Sequence, residues 1–210
     1  MAKRALAELI GTFLFCLFIC LTSMGSHVVW APWVGGLVLA SLIYANGHIS
    51  GAHLNPMVTL SLFLRGKVNL NMVPTYILTQ LGGGALAALI SMLLINKVPT
   101  QVVEDLSSKT LEAILSEFLG SLAIAYVILN VTTSKNTQGN DYYGIAIGLC
   151  YAAVSSAFGE ISGGILNPAL ALAVGITKLS SFSNLWIYWV GQFLGGVMAA
   201  VLFLFINGKD

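Results

Sequence analysis

His48-Ile-Ser-Gly-Ala-His-Leu-Asn-Pro56 and Glu160-Ile-Ser-Gly-Gly-Ile-Leu-Asn-Pro168 are two versions of one stretch, and they match at Ile, Ser, Gly, Leu, Asn and Pro. The second copy lies 112 residues after the first. Downstream of both copies the same offset relates Gln80-Leu-Gly-Gly-Gly84 to Gln192-Phe-Leu-Gly-Gly196. The chain is therefore an internal repeat, with two halves built on one plan.

A further repeated element lies upstream, where Glu8-Leu-Ile-Gly11 recurs as Glu117-Phe-Leu-Gly120. A glutamate at the same place in both halves is notable because each lies inside an apolar segment. Ionisable residues at such positions are costly and usually have a structural or functional role. Glu8 and Glu117 are therefore candidate site residues.

The composition is that of an integral membrane protein. Hydrophobic residues make up 57% of the chain and charged residues 8%, whereas soluble domains carry about 25% charged residues. The mean hydropathy is +0.89. The net charge of +1 offers no basic surface for nucleic acid, so the expected surroundings are a lipid bilayer.

The apolar segments fall into two length classes. A helix that crosses the bilayer needs roughly 20 residues, and six segments approach that length, at about 5–23, 34–46, 73–95, 111–131, 142–159 and 185–206. Two shorter segments, at about 55–64 and 167–176, have half that length and begin at the two Asn-Pro pairs. The sequence therefore predicts an all-α membrane protein with six transmembrane helices and two re-entrant half-helices.

The domain organisation follows from the repeat. We predict one membrane domain over residues 1–210, with repeats at about 1–96 and 110–210 and a polar linker at about 97–109. Because each half contains an odd number of full spans, the two repeats are inverted relative to each other. The short segments then enter from opposite faces and meet near the middle of the bilayer.

The distribution of Lys and Arg in the short loops indicates the orientation. With the N-terminus in the cytoplasm, six basic residues lie inside and three outside, which satisfies the positive-inside rule. The inner set is Lys3, Arg4, Arg65, Lys67, Lys135 and Lys209, and the outer set is Lys97, Lys109 and Lys178. We expect both termini to be cytoplasmic, in a cell membrane of plasma or bacterial inner type.

Each Asn-Pro pair predicts the start of a helix, since Asn is a strong N-cap and Pro favours the first helical position. Here the start lies at membrane depth, where irregular backbone is tolerated only if it is buried in protein or lines a watery cavity. Two helix N-termini that meet there place two positive dipole ends side by side. The amides of Asn55 and Asn167 and the free carbonyls before them suit neutral polar solutes, whereas cations are disfavoured.

These motifs together resemble those of the aquaporin and aquaglyceroporin (major intrinsic protein) family, over essentially the whole chain. The resemblance implies an aquaporin-like fold and a homotetramer in which each protomer has its own pore. It also implies that Glu8 and Glu117 brace the re-entrant loops by accepting backbone hydrogen bonds. The pore residues that it assigns to the two boxes are Asn55, Pro56, Met57, Asn167, Pro168 and Ala169.

The family's outer selectivity filter corresponds here to Gly35, Ser155, Gly164 and Leu170. Most members carry Arg at the position of Leu170, three residues after the second box Asn. The set therefore predicts a wide and fairly apolar filter without a charged group. It is similar to the Gly-Ser-Gly pattern of nodulin-26-like intrinsic proteins that conduct silicic, boric and arsenous acid, although those channels retain the Arg.

Three other residues leave alternatives open. Met57 stands where the first box usually has Ala, and its thioether either fills a packing gap or lines the pore. His48 and Glu160 occupy equivalent positions and are candidates for the pore mouths. Glu160 either caps loop amides there or attracts cations as a pH-sensitive gate. His48 and His53 lack a third ligand at suitable spacing, so no metal site or cofactor is predicted.

The preferred hypothesis is a passive channel for glycerol-like polyols, metalloid hydroxides and water. A water-selective channel is the alternative within that class. A coupled secondary transporter also uses inverted repeats and broken helices, and an occluded pore with a structural role is a further class. An enzyme is not predicted, because no nucleophile with a His or acid partner can be assembled.

Overall fold

The fold consists of six long helices and two short ones, in a computed structural model that describes residues 1–95 and 106–208. Their order is α1 Ala2–Met24, α2 Ala31–Ser50, α3 Pro56–Leu64, α4 Val73–Ile95, α5 Thr110–Thr133, α6 Tyr143–Ser162, α7 Pro168–Ile176 and α8 Leu185–Asn207. The six long helices have the length and hydropathy of membrane spans. The predicted all-α architecture with two half-helices is confirmed.

Two segments differ from the predicted boundaries. Helix α2 runs from Ala31 to Ser50, whereas the apolar run predicted only 34–46, because the polar residues at its end continue the helix until Gly51 adopts a left-handed φ of +90°. Of the predicted linker at 97–109, residues 97–105 lie outside the described residues, as do Lys97 and Lys209 of the orientation argument. Leu106–Lys109 form a 3₁₀ turn that leads into α5.

Small residues allow the long helices to pack closely. Helix α1 packs on α4, α5 on α8, and α2 on α6. A Cβ atom at Gly83 would lie 2.7 Å from the Leu9 carbonyl oxygen of α1, and one at Gly195 would overlap the Phe118 carbonyl oxygen of α5. Backbones this close are typical of helix contacts in membranes, where small residues form the interface.

The contacts between α2 and α6 are reciprocal. A Cβ at Gly36 would overlap the carbonyl oxygen of Gly148, and a Cβ at Gly148 would overlap that of Gly36. These two glycines are 112 residues apart, at the offset of the repeat. Reciprocal contacts between equivalent residues indicate a two-fold relation between the halves, with its axis passing between α2 and α6.

One face of the molecule carries the start of α1 and the connections from α3 to α4 and from α5 to α6; we call it the N-terminal face. The Arg4 guanidinium reaches the Met72 sulfur there at 3.8 Å, and the Arg65 guanidinium donates to the Thr133 carbonyl at 3.4 Å. The outer surfaces of the helices expose leucines such as Leu78, Leu93 and Leu111. Such a surface fits lipid.

Candidate functional site

The two short helices begin at the centre of the molecule, at Asn55 and Asn167. Each Asn side chain caps its own helix, because its Oδ1 accepts from the backbone N–H two residues later at 2.9 Å. Each Nδ2 also donates across the centre: Asn55 to the Leu166 carbonyl at 3.0 Å, and Asn167 to the Leu54 carbonyl at 2.9 Å. The exchange ties the two half-helices together and uses one amide hydrogen of each Asn, so the second hydrogen remains for a solute.

The loops that lead into these helices have an unusual backbone. Leu54 and Leu166, which directly precede the two Asn residues, have positive φ angles of 51° and 58°. Residues with side chains rarely adopt this conformation, because each instance costs on the order of 1–3 kcal/mol and persists only where the surroundings enforce it. The strained loops therefore need strong anchors.

Glu117 supplies that anchor in the second half. Its Oε1 accepts from the Ser162 hydroxyl at 2.7 Å and the Ile165 N–H at 3.0 Å, and its Oε2 accepts from the Leu166 N–H at 2.8 Å and the Gln192 amide at 2.7 Å. Glu117 is completely buried. Four donors point at two carboxylate oxygens, so the group acts only as an acceptor.

Glu8 makes the same four bonds in the first half. Its Oε1 accepts from the Ser50 hydroxyl at 2.6 Å and the His53 N–H at 3.0 Å, and its Oε2 accepts from the Leu54 N–H and the Gln80 amide, both at 2.8 Å. A buried carboxylate is tolerated here because every lone pair that faces the protein is matched by a donor. The two carboxylates hold both loops in one geometry.

Two further anchors were missed from the sequence. The Tyr76 hydroxyl donates to the Ser50 carbonyl at 2.8 Å, and the Tyr188 hydroxyl donates to the Ser162 carbonyl at 3.0 Å. These tyrosines fix the last residues of α2 and α6, immediately before the loops. A sequence signal did exist, since Tyr76 and Tyr188 are themselves 112 residues apart and each lies four residues before the repeated Gln.

The hydrogen bonds around the glutamine that contacts each anchoring glutamate differ between the two halves. In the first half, Thr59 lies between the ring of His53, with its Oγ1 3.1 Å from Nδ1, and the amide of Gln80, at 2.9 Å from Nε2. The equivalent of Thr59 in the second half is Ala171. The Oε1 atom of Gln192 is buried there and has no hydrogen-bond partner among the residues that the structure describes. The first loop is thus supported by more hydrogen bonds than the second.

A cavity of about 710 Å³ leads from the N-terminal face to the paired asparagines. Its mouth is lined by Lys67 and Lys135, and its inner end by Asn55 and Asn167. The wall between them is mostly apolar and includes Leu39, Ile43, Val58, Ile124, Ile128 and Ile147. Apart from His53, the polar residues of the lining lie at the mouth or at the two amides, and a largely apolar wall of this kind favours neutral solutes over hydrated ions.

The four residues that match the filter lie beyond the asparagines, and none of them lines this cavity. Ser155 and Gly164 are brought together, because the Ser155 hydroxyl donates to the Gly164 carbonyl at 2.8 Å. Leu170 lies in the first turn of α7 and is 1% exposed. Gly35 lies on α2, where a Cβ would be 2.7 Å from the Tyr151 ring and 2.9 Å from Ile19.

Met57 packs between helices. It is fully buried, and a Cβ placed on Gly196 of α8 would lie 2.6 Å from its Cγ and 2.8 Å from its sulfur. It does not line the cavity. The thioether therefore fills the groove that Gly196 leaves in α8. In the other half, Gly84 of α4 meets Ala169 in the same way, but there the contact is with the backbone.

Met57→Ala is expected to lower stability and leave solute flux nearly unchanged. The cost should be about 1–2 kcal/mol, below the 2–5 kcal/mol of Met→Ala in soluble cores, since lipid removes most of the difference in transfer energy. Thermal unfolding of the purified protein and flux in proteoliposomes measure the two effects. In a double-mutant cycle, Gly196→Ala should cost less in the Met57→Ala background than alone, and additive costs would contradict this packing.

The candidate mouth residues occupy the ends of two helices. His48 and Glu160 are both exposed and lie two residues before the last residue of α2 and α6. His48 does not line the cavity, although its neighbours Gly47 and Gly51 do. The role of Glu160 at a pore mouth therefore stays a prediction.

Comparisons with known proteins agree with this geometry. The family model described as "Major intrinsic protein" matches residues 1–203. "Aquaporin NIP2-2" of Zea mays is 29% identical over all of this chain and 73% of its own length. "Probable aquaporin NIP4-2" of Arabidopsis thaliana is 30% identical over all of this chain and 76% of its own length.

The fold also matches a solved structure. The aquaglyceroporin from Plasmodium falciparum superposes with a TM-score of 0.80 at 20% identity, over 96% of this chain and 95% of that one. The family model, the plant relatives and the paired half-helices together lead to one conclusion. The chain belongs to the major intrinsic protein family and is an aquaporin-type membrane channel for water and small neutral solutes, not an enzyme.

Proposed function

We propose that this channel conducts glycerol-like polyols and metalloid hydroxides, such as arsenous, boric and silicic acid, in addition to water. The observation that carries the proposal is the composition of the predicted filter. Gly35, Ser155, Gly164 and Leu170 include neither an aromatic ring nor a charged side chain. A filter of this kind excludes a three-carbon solute less strongly than an aromatic one with Arg.

The central site suits such solutes chemically. Each of the two amides has one hydrogen to donate, and a hydroxyl group accepts it readily. The helix N-termini of α3 and α7 add positive potential at the same place, which disfavours cations. Boric acid, arsenous acid and glycerol are neutral at pH 7 and rich in hydroxyl groups. We propose passive transport, because the two asparagine amides that meet the solute are neutral and carry no charge that could couple solute to an ion.

The proposal includes the assembly and its place in the cell. We infer a homotetramer with one pore in each protomer, in a plasma or inner membrane. Among the described residues, the N-terminal face carries Lys3, Arg4, Arg65, Lys67 and Lys135, whereas Lys109 and Lys178 belong to the other face. The excess favours a cytoplasmic N-terminal face. We therefore infer that the cavity opens toward the cytoplasm.

Leu170→Arg is expected to reduce glycerol and boric acid permeability by roughly tenfold, an added barrier of about 1.4 kcal/mol. The longer, charged side chain narrows the outer half of the pore and holds water tightly, whereas water itself still passes. Stopped-flow light scattering on proteoliposomes measures all three permeabilities under matched gradients. Leu170→Met is the control, since it preserves side-chain volume without a charge. Unchanged glycerol flux in Leu170→Arg would show that Leu170 does not line the pore.

A water-selective channel is the second candidate, and one observation favours it. The space beside Gly35 is occupied by Tyr151 and Ile19, so the outer half is narrower than the filter residues alone indicate. The same assay separates the candidates. Fast water flux without glycerol or boric acid flux would support the water-selective channel, whereas flux of all three would support the broader range.

A further inference from the structure

Two aromatic rings line the cavity and are not among the four residues of the predicted filter. Phe15 of α1 and Tyr151 of α6 both line its inner end, beside Asn167. Their ring centroids are 5.3 Å apart, with an interplanar angle of 78°. Phe15 is 1% exposed and Tyr151 is 3% exposed. The two nearly buried rings thus pack against each other in the cavity wall near the asparagines.

Tyr151 lies on the face of α6 that carries the predicted filter residue. It is four residues before Ser155, and residues at this spacing lie above one another on the same side of a helix. Toward α2 its ring lies against Gly35, since a Cβ there would be 2.7 Å from Cε1 of Tyr151. The absence of a side chain at Gly35 therefore creates the space that the tyrosine ring fills.

Ile19 completes this barrier from α1. It lies one turn after Phe15, and its Cδ1 would be 2.9 Å from a Cβ at Gly35. The small residue at Gly35 is thus covered by two larger side chains from other helices. Although the filter residues predict a wide pore, the passage beside Gly35 is therefore narrow.

The repeat supplies an internal comparison. The residue equivalent to Tyr151 in the first half is Leu39, which lines the cavity wall. Both residues line the cavity, but Tyr151 is 3% exposed and packs against Phe15, whereas Leu39 is 8% exposed. Since the backbones of the halves follow the same plan, the difference between them comes from the side chains, with a leucine at one position and an aromatic ring at the other.

We propose that Tyr151, packed against Phe15, Ile19 and Gly35, is the residue that limits the size of the solutes this channel passes. The inference rests on the proposed function in one respect, because it assumes transport of neutral solutes through this pore. It assigns the steric limit to one side chain outside the family filter. Solutes wider than water pass at a rate set by displacement of the tyrosine ring.

The test is a permeability series in proteoliposomes with water, glycerol and the four-carbon polyol erythritol. Tyr151→Ala is expected to raise glycerol and erythritol permeability by about tenfold or more relative to wild type. Tyr151→Phe should behave like wild type, because it keeps the ring, and Tyr151→Trp should lower glycerol permeability. Leu149→Ala is the control on the same helix, because Leu149 is exposed on the outer surface and does not line the cavity, and it should change the polyol permeabilities by less than about twofold.

Unchanged polyol permeability in Tyr151→Ala, with wild type conducting glycerol, would overturn this inference and leave the proposed function standing. If wild type passes only water while Tyr151→Ala passes glycerol, the inference holds and the proposed solute range is wrong. Gel filtration and circular dichroism establish that each variant is folded. If Tyr151→Ala does not fold, Tyr151→Leu takes its place, and a folded Tyr151→Leu without a rise in erythritol permeability would also overturn the inference.

Discussion

A Glu117→Gln variant is expected to lose most of its thermal stability margin and most of its channel activity, although the change replaces a single oxygen with an NH₂ group. Glu117 accepts four hydrogen bonds, two at each oxygen. In glutamine one of these atoms becomes a donor that faces two other donors. The two donors at that atom, one backbone N–H and one side-chain group, then remain buried without their acceptor.

The magnitude follows from the number of bonds lost. An unsatisfied buried polar group costs about 1–3 kcal/mol, so two of them cost about 2–6 kcal/mol. The loop N–H that loses its acceptor belongs to Leu166 or to its neighbour Ile165. Leu166 has an already strained φ of +58°, and its carbonyl holds Asn55. Relaxation of this loop therefore disturbs both asparagines, and we expect water permeability to fall by roughly tenfold.

The matched control for this prediction is Glu112→Gln. Glu112 lies in the first turn of the same helix and is exposed, so the same chemical change there should alter stability by less than about 0.5 kcal/mol. Thermal unfolding in detergent and water flux in proteoliposomes are measured for both variants. A Glu117→Gln protein as stable as Glu112→Gln would show that the carboxylate does not anchor the loop.

Comparison of the two halves shows how far the sequence predicts this structure. The repeat offset predicted both half-helices, because Asn-Pro carries its own capping chemistry and needs no tertiary information. The same offset would have revealed Tyr76 and Tyr188. Residues that act through backbone groups recur in both halves, since both loops require the same anchors.

Side chains that act through packing could not be predicted in this way. The sequence left open whether Met57 lines the pore, since its direction depends on the groove at Gly196, which is far away in the chain. Likewise, the filter positions predicted a wide pore. The sequence alone does not show that Ile19 and Tyr151 fill the space beside Gly35. A missing side chain predicts an opening only if no neighbouring helix fills it.

The second large effect is expected from Gly84→Val, which should destabilise the protein by about 3 kcal/mol or more and abolish conduction. A Cβ at Gly84 would overlap the Ala169 carbonyl oxygen and lie 3.0 Å from the Ala169 carbonyl carbon. Backbone atoms cannot rotate away as a flexible side chain does, so α4 and α7 must separate. Overpacking of this kind typically costs 1–3 kcal/mol for added methylenes, and valine adds two methyl groups beyond the Cβ.

The neighbouring glycine provides the control for this variant. Gly82 belongs to the same helix and the same run of three glycines, but a Cβ there would have no atom within 4 Å. Gly82→Val therefore makes the same change in open space and should be neutral within about 0.5 kcal/mol. Thermal unfolding and water flux are compared for the pair. Equal losses in both variants would show that the contact with Ala169 does not set the cost, whereas a loss confined to Gly84→Val ties the position of Asn167 to the contact between α4 and α7.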